Sequence, residues 1–332
     1  MTSDFASSRT TPRPEEPHVA QELAPTVPYH RLAHRRARTR QWWRPLAVLG
    51  TSVGLYVGCL VIVGLAAVIF TLTASGTWGP SEFFEDPTNP MDLLLTLGLI
   101  SLALPAVVLG SRWGGGMQGA IHSIAGRVRW RLLLMAATIV VPLYTLVHTV
   151  TFVLLPPEDL ALPEFNGRIV LVFLIILLLV PLQCAAEEYA FRALPQQLLG
   201  TWLRSPLWGI VAPIPLFMVG HGYDWVGQID LAVFALCMGF LVWKSGGVEL
   251  AIVVHTANNL ILFLLAPLSP TSLHQGAVPL AALLLSIPMT LIVTAGLTFW
   301  VSRAHDLEWF QPLRTPAQRL PQRSPAHLQN TP

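Results

Sequence analysis

From residue 45 onward the chain alternates between long apolar runs and short polar connections. The runs fall near 45–73, 91–110, 132–155, 169–194, 206–222, 229–244, 248–266 and 279–302. Most hold the ~20 residues an α-helix needs to cross the ~30 Å hydrocarbon core of a bilayer. One of them, Ile169 to Val180, has no polar side chain at all. This pattern predicts an all-α, polytopic membrane protein with about eight transmembrane helices. The fifth run is the shortest, and Pro213 and Pro215 interrupt it. Residues 1–41 are polar and rich in proline, with too little apolar content to fold, so they read as a disordered tail. The expected organisation is a tail over 1–41, a helical membrane domain over 42–303 and a second tail over 304–332.

Composition excludes the soluble alternatives. Hydrophobic residues make up 53% of the 332 and charged residues 11%, against the roughly 25% charged of a globular domain. Cys59, Cys184 and Cys237 all lie inside apolar runs, so no disulfide framework is expected. The start of the chain lacks the charged segment and short apolar core of a cleaved signal peptide. Lysine occurs once against nineteen arginines, which on composition alone points to a GC-rich bacterial genome.

The distribution of charge orients the helices. Arg31, Arg35, Arg36, Arg38, Arg40 and Arg44 cluster before the first span, with Trp42 and Trp43 among them. This reads as a positive-inside anchor with an interfacial aromatic belt, not as a nucleic-acid patch. Segment 75–90 carries Glu82, Glu85 and Asp86 without a base. Segment 111–131 carries Arg112, Arg127, Arg129 and Arg131 without an acid. Acid dominates again in 156–168, and Arg204, Lys244 and Arg303 mark every second later junction. Both termini are therefore expected in the cytoplasm, in a multi-pass protein of the cell membrane. The glycine- and arginine-rich 111–131 segment reads as a contact for anionic lipid.

Ionisable groups within the membrane cost at least ~2.5–3.5 kcal/mol on insertion scales and are functional candidates by default. Glu187 and Glu188 follow the most apolar run, with Arg192 beyond them. Phe217 and His221 close the fifth run, and His255 and Asn259 lie inside the seventh. Glu188 and Arg192 are four apart and share a helix face, whereas Glu187 points about 100° away. His255 and Asn259 also stack on one face. A carboxylate can take a proton from water, and imidazole and amide N–H groups can donate to a developing oxyanion. His148, in the third run, reads as a helix-packing histidine.

Glu-Glu-x-x-x-Arg, then Phe-x-x-x-His, then His-x-x-x-Asn, on successive helices, resembles the CAAX-protease and bacteriocin-processing family of intramembrane endopeptidases. The resemblance covers about residues 170–265. It implies that Glu187 is the general base on water, with His221 as its partner in holding that water. His255 and Asn259 would stabilise the oxyanion, with Glu188, Arg192 and Phe217 in support, inside the helical bundle. The substrate would be a peptide or protein in the membrane, and the surrounding partner the lipid bilayer; no nucleic acid is expected. The family is described both as metal-free and as zinc-dependent. The expectation taken here is no cofactor, with zinc on Glu187, His221 and His255 as the alternative. A non-catalytic adaptor or immunity-type protein on the same scaffold is the competing class. A transporter is a third, disfavoured by the lack of any repeat. Equal arms from Arg204 to Glu187 and to His221 predict a common depth, with a polar cavity opening at the Arg204 end.

Overall fold

The computed structural model describes residues 23–24, 26–73, 79–316 and 318–319. Residues 26–315 form one compact unit. A two-residue antiparallel pair, β1 (Leu23–Ala24) with β2 (Gln318–Arg319), belongs to a second. The main unit is helical throughout. Its helices are α1 (Arg44–Thr73), α2 (Pro90–Ser101), α3 (Ala103–Trp113), α4 (Trp130–Leu154) and α5 (Gly167–Glu188), then α6 (Leu194–Trp202), α7 (Leu207–Val211) and α8 (Ile214–Val219). The last three are α9 (Trp225–Ser245), α10 (Glu249–Leu265) and α11 (Leu280–His305).

Among the described residues, seven helices are long and apolar enough to cross a membrane, with α2–α3 counted as one and α5–α6 as another. The predicted fifth span is the exception. It is the shorter apolar stretch Leu207–Val219, whose length of about 20 Å falls short of the ~30 Å core. Pro213 and Pro215 lack the N–H that a continuous helix needs, and the chain breaks between α7 and α8. It still runs from one end of the bundle to the other. At the near end, Arg204 O accepts from His30 Nε2 at 3.1 Å. At the far end, Asp224 N donates to Gly276 O at 2.9 Å. The chain thus reverses direction at each junction, and residues 26–43 and 306–315 meet at one end, where Thr315 N donates to Val27 O at 3.0 Å.

That end is closed by segments expected to be tail or lipid contact. Residues 26–41 are folded, in contrast to the disordered tail expected over 1–41; residues 1–22 and 25 lie outside the described residues. The 3-10 helix Tyr29–Arg35 buries Tyr29, His30 and Leu32. Arg31 Nη1 donates to Gly200 O at 2.8 Å and Leu203 O at 3.1 Å, capping the carbonyls at the end of α6. In segment 111–131, Arg112, Arg127 and Arg131 are exposed, but Arg129 is held inward. Its Nη2 lies 2.6 Å from Glu249 Oε2 and its Nε 2.9 Å from Oε1. Lys244, fully buried, donates to Glu308 O and Gln311 O at 2.6 and 2.7 Å. Part of the basic charge that reads as membrane orientation therefore serves as an internal fastening.

Two devices place the core helices. α1 leans on α3 through small residues four apart. A Cβ at Gly110 would meet Ser52 Cα at 2.5 Å, and one at Gly114 would meet Val48 Cα at 2.5 Å. Such close backbone approach is how helices associate where lipid is as apolar as the side chains. Among the described residues α10 is the most enclosed span, with half of its apolar stretch buried, and it packs against α4, α5 and α9.

Candidate active site

α5 brings Glu187 and Glu188 into the bundle on its last turn, and the chain then widens into one π-helical turn, Tyr189–Ala193. Leu194 N–H reaches back to Tyr189 O, five residues away. Such turns recur at functional sites because the extra residue re-aims the side chains around it. Here the turn carries Arg192, whose Nη1 lies 3.4 Å from Glu188 Oε1. The guanidinium also sits 4.2 Å from the centre of the Phe217 ring, which is buried on α8. A cation over an aromatic face is attracted to the ring's negative quadrupole. Phe217 is thus the side chain through which the second motif supports the first.

His255 enters from α10, one turn before Asn259. Its Nδ1 is 2.8 Å from Glu188 Oε1, and its Nε2 is 3.5 Å from Glu187 Oε2. A carboxylate only accepts, so Nδ1 carries the proton shared with Glu188, and Nε2 is the nitrogen turned to Glu187. Phe234 of α9 closes against the ring, edge to face, at 5.0 Å. Glu188 is completely buried, and Glu187 is 7% exposed. Oε2 of Glu187 and Oε2 of Glu188 each lack a hydrogen bond to any described residue. The two adjacent glutamates differ in their partners. Glu188 Oε1 is held by both Arg192 and His255 Nδ1, whereas among the described residues Glu187 pairs only with His255 Nε2, at 3.5 Å.

Among the described contacts, His221 meets this cluster through Phe217. Its Nδ1 donates to Phe217 O at 2.9 Å, across the end of the short helix α8, and its ring lies against Phe217 and Tyr223. No hydrogen bond or ion pair joins it to Glu187 among the described residues. The zinc alternative needs Glu187, His221 and His255 together. Among the described residues no three His, Cys, Asp or Glu side chains form a metal-binding group, so these donors do not fit zinc as they stand. The two arms from Arg204 differ in build. The break at Pro213 and Pro215 shortens the fifth arm, while α6 continues past Pro195 to Trp202 beneath the folded N-terminal segment.

The large cavity also departs from expectation. It has a volume of about 930 Å³ and lies at the end opposite the termini, bordered by Phe84, Glu85, Pro157, Tyr223 and Gln275. Asn259 and His148 line it; Glu187, His221 and His255 do not. The acidic segments 79–89 and 156–166, not Arg204, surround its end of the bundle. A link at its inner wall leaves no trace in the sequence pattern. His148 Nε2 lies 3.2 Å from Asn258 Oδ1, and Asn258 Nδ2 donates to Asn259 Oδ1 at 3.0 Å.

Residues 166–261 match the family model described as "Type II CAAX prenyl endopeptidase Rce1-like". That segment contains Glu187, Glu188, Arg192, Phe217, His221, His255 and Asn259, so the resemblance carried by the three motifs is to the family whose model matches. Among curated proteins, the uncharacterized protein YyaK of Bacillus subtilis (strain 168) is 26% identical over 277 residues, covering 78% of this chain and 85% of that protein. No solved structure matches significantly.

Proposed function

We propose that this chain is an intramembrane endopeptidase that hydrolyses peptide bonds of membrane-embedded or lipid-linked peptides. The observation that carries this reading is the split use of the two glutamates around one histidine. Glu188, paired with Arg192, fixes the ring through Nδ1, and Glu187, with no arginine partner among the described residues, faces Nε2. Glu187 takes a proton from a water molecule as that water attacks the scissile carbonyl carbon. The carbonyl oxygen becomes an oxyanion, to which the Asn259 amide donates, together with His255 when its Nε2 is protonated. Glu187 then delivers its proton to the departing amine, and the C–N bond breaks. No metal enters this scheme. His221 would join only by exchanging its bond to Phe217 O for one to the water.

The Asn259 side of the site meets the large cavity, so the peptide is proposed to approach from the end opposite the termini. The matching family's printed description makes a prenylated C-terminal peptide the first substrate class to try. The test is a quenched-peptide library, with and without a C-terminal farnesyl group, given to purified protein in lipid nanodiscs. Cleavage by wild type and none by Glu187→Gln is the expected result. Equal cleavage by both would remove the mechanism, and binding without cleavage would favour the adaptor class. Metal analysis of the same active sample tests the cofactor reading: stoichiometric zinc, with chelation abolishing activity and zinc restoring it, would overturn it.

A further inference from the structure

We infer that His148 is a positioning residue for Asn259, acting through Asn258. The inference rests on the proposed peptidase reading and adds to it a further helix, α4, which carries none of the three motifs. An asparagine amide presents an oxygen on one side and an NH2 on the other, and only the NH2 can stabilise an oxyanion. Which side faces the cavity is set by whatever holds the amide. Asn258 Nδ2 donates to Asn259 Oδ1 at 3.0 Å, so the Asn259 oxygen is engaged and its NH2 is the group left for a ligand. The same argument applies one step back. Asn258 is held in that direction by a donor on its own oxygen, and His148 Nε2 lies there at 3.2 Å.

The direction of the whole chain is therefore set at His148, whose Nε2–H donates to Asn258 Oδ1. If Nε2 lacked its proton, both amides would turn over and Asn259 would present its oxygen, which repels an oxyanion. Tyr144 stands one turn before His148 on α4, with the rings 5.7 Å apart, and restricts the imidazole. His148 and Asn259 both line the cavity, so the relay lies in its wall and not in a sealed part of the core.

The experiment compares kcat and KM for wild type, Glu187→Gln, His148→Phe, His148→Gln, Asn258→Asp and Asn259→Ala on the library peptide that wild type cleaves fastest. His148→Phe keeps a flat ring without the donor, and kcat should fall on the order of 10–100-fold with KM little changed. His148→Gln places an amide N–H near the position of Nε2, and it should recover most of the loss. Asn258→Asp can only accept, so Asn259 must turn its NH2 away from the cavity; kcat should fall at least as far as in His148→Phe. The decisive comparison is a double-mutant cycle. In an Asn259→Ala background, His148→Phe should cost nothing further, because its effect passes through Asn259. Multiplying losses in that background, or failure of His148→Gln to rescue, would overturn the positioning role and leave the peptidase intact. Wild type that cleaves nothing, or Glu187→Gln that cleaves normally, would remove the peptidase reading and this inference with it.

Discussion

At the scale of single residues, the site is defined by what each polar group is already doing. Glu187→Gln keeps the side chain's shape but cannot accept a proton, so cleavage should vanish while thermal unfolding in detergent stays close to wild type. A folded, fully active variant would exclude Glu187 as the base. Arg192→Ala should behave in the opposite way. The arginine is 2% exposed and neutralises the fully buried Glu188, which would keep only His255 as partner. Removing one member of such a pair typically costs about 3–5 kcal/mol. The variant should therefore show low expression or a markedly lower unfolding temperature; an unchanged one would show that Glu188 does not depend on it.

The residue roles were partly legible in the sequence. The four-residue spacings correctly put Glu188 beside Arg192 and separated Glu187 from them, because spacing on one helix fixes facing. Links between helices could not be read in that way. Glu249 belongs to no motif and Arg129 reads as part of a lipid contact, yet the two meet across 120 residues. His148 belongs to no motif, and neither does its partner Asn258, although Asn258 adjoins the motif residue Asn259.

At the scale of elements, what was missed follows from one physical fact: apolar runs show where helices lie but not how closely they approach. Gly110 and Gly114 form a small-xxx-small pair that could have been found by spacing alone. Gly110→Leu should push α1 from α3, since even a Cβ there would collide with the Ser52 backbone. The expected outcome is a lower unfolding temperature in detergent, with a milder loss for Gly110→Ala; stability equal to wild type in both would mean α1 is held by other contacts. The fifth run was recognised as short, but its division into α7 and α8 depends on where two prolines fall within a helix.

The cavity rim carries an element-scale prediction of its own. Asp159 ties segment 156–160 to 269–271 by accepting from Ser269 Oγ at 2.6 Å, Thr271 Oγ1 at 2.7 Å and Thr271 N at 2.9 Å. These donors, the Ser269 hydroxyl foremost, hold its pKa down at about 2. A carboxylate with a depressed folded pKa contributes in full above its unfolded value, near 3.9, and loses that contribution as pH falls through the folded one. The latch should stay fastened at pH 5 and release toward pH 2. Hydrogen exchange at the Thr271 amide measures this: protection should persist at pH 5 and disappear in Asp159→Ala. Equal protection in the variant would show that the carboxylate is not what holds the loop.

At the scale of the whole molecule, the meeting of the two ends decides the topology up to a choice of side. Val27 and Thr315 are hydrogen-bonded neighbours, so with seven long spans the broken fifth stretch has to count as a crossing to bring the two ends together. The exposed arginines near that end, with Trp42, Trp113 and Trp130 also exposed, favour the cytoplasmic side, and the acidic segments Glu82–Asp86 and Glu158–Glu164 favour the exterior for the other. Ala125 and Glu82 are exposed positions at the two ends. In a background with Cys59, Cys184 and Cys237 replaced, a membrane-impermeant maleimide applied to intact cells should label Glu82→Cys and spare Ala125→Cys until the cells are opened. The reverse pattern would invert the protein. That result would also change the chemistry, because the cavity that reaches Asn259 lies at the Glu82 end. With the expected labelling, a peptide entering by that cavity comes from outside the cell or from the outer leaflet; with the reverse labelling, it comes from the cytoplasm.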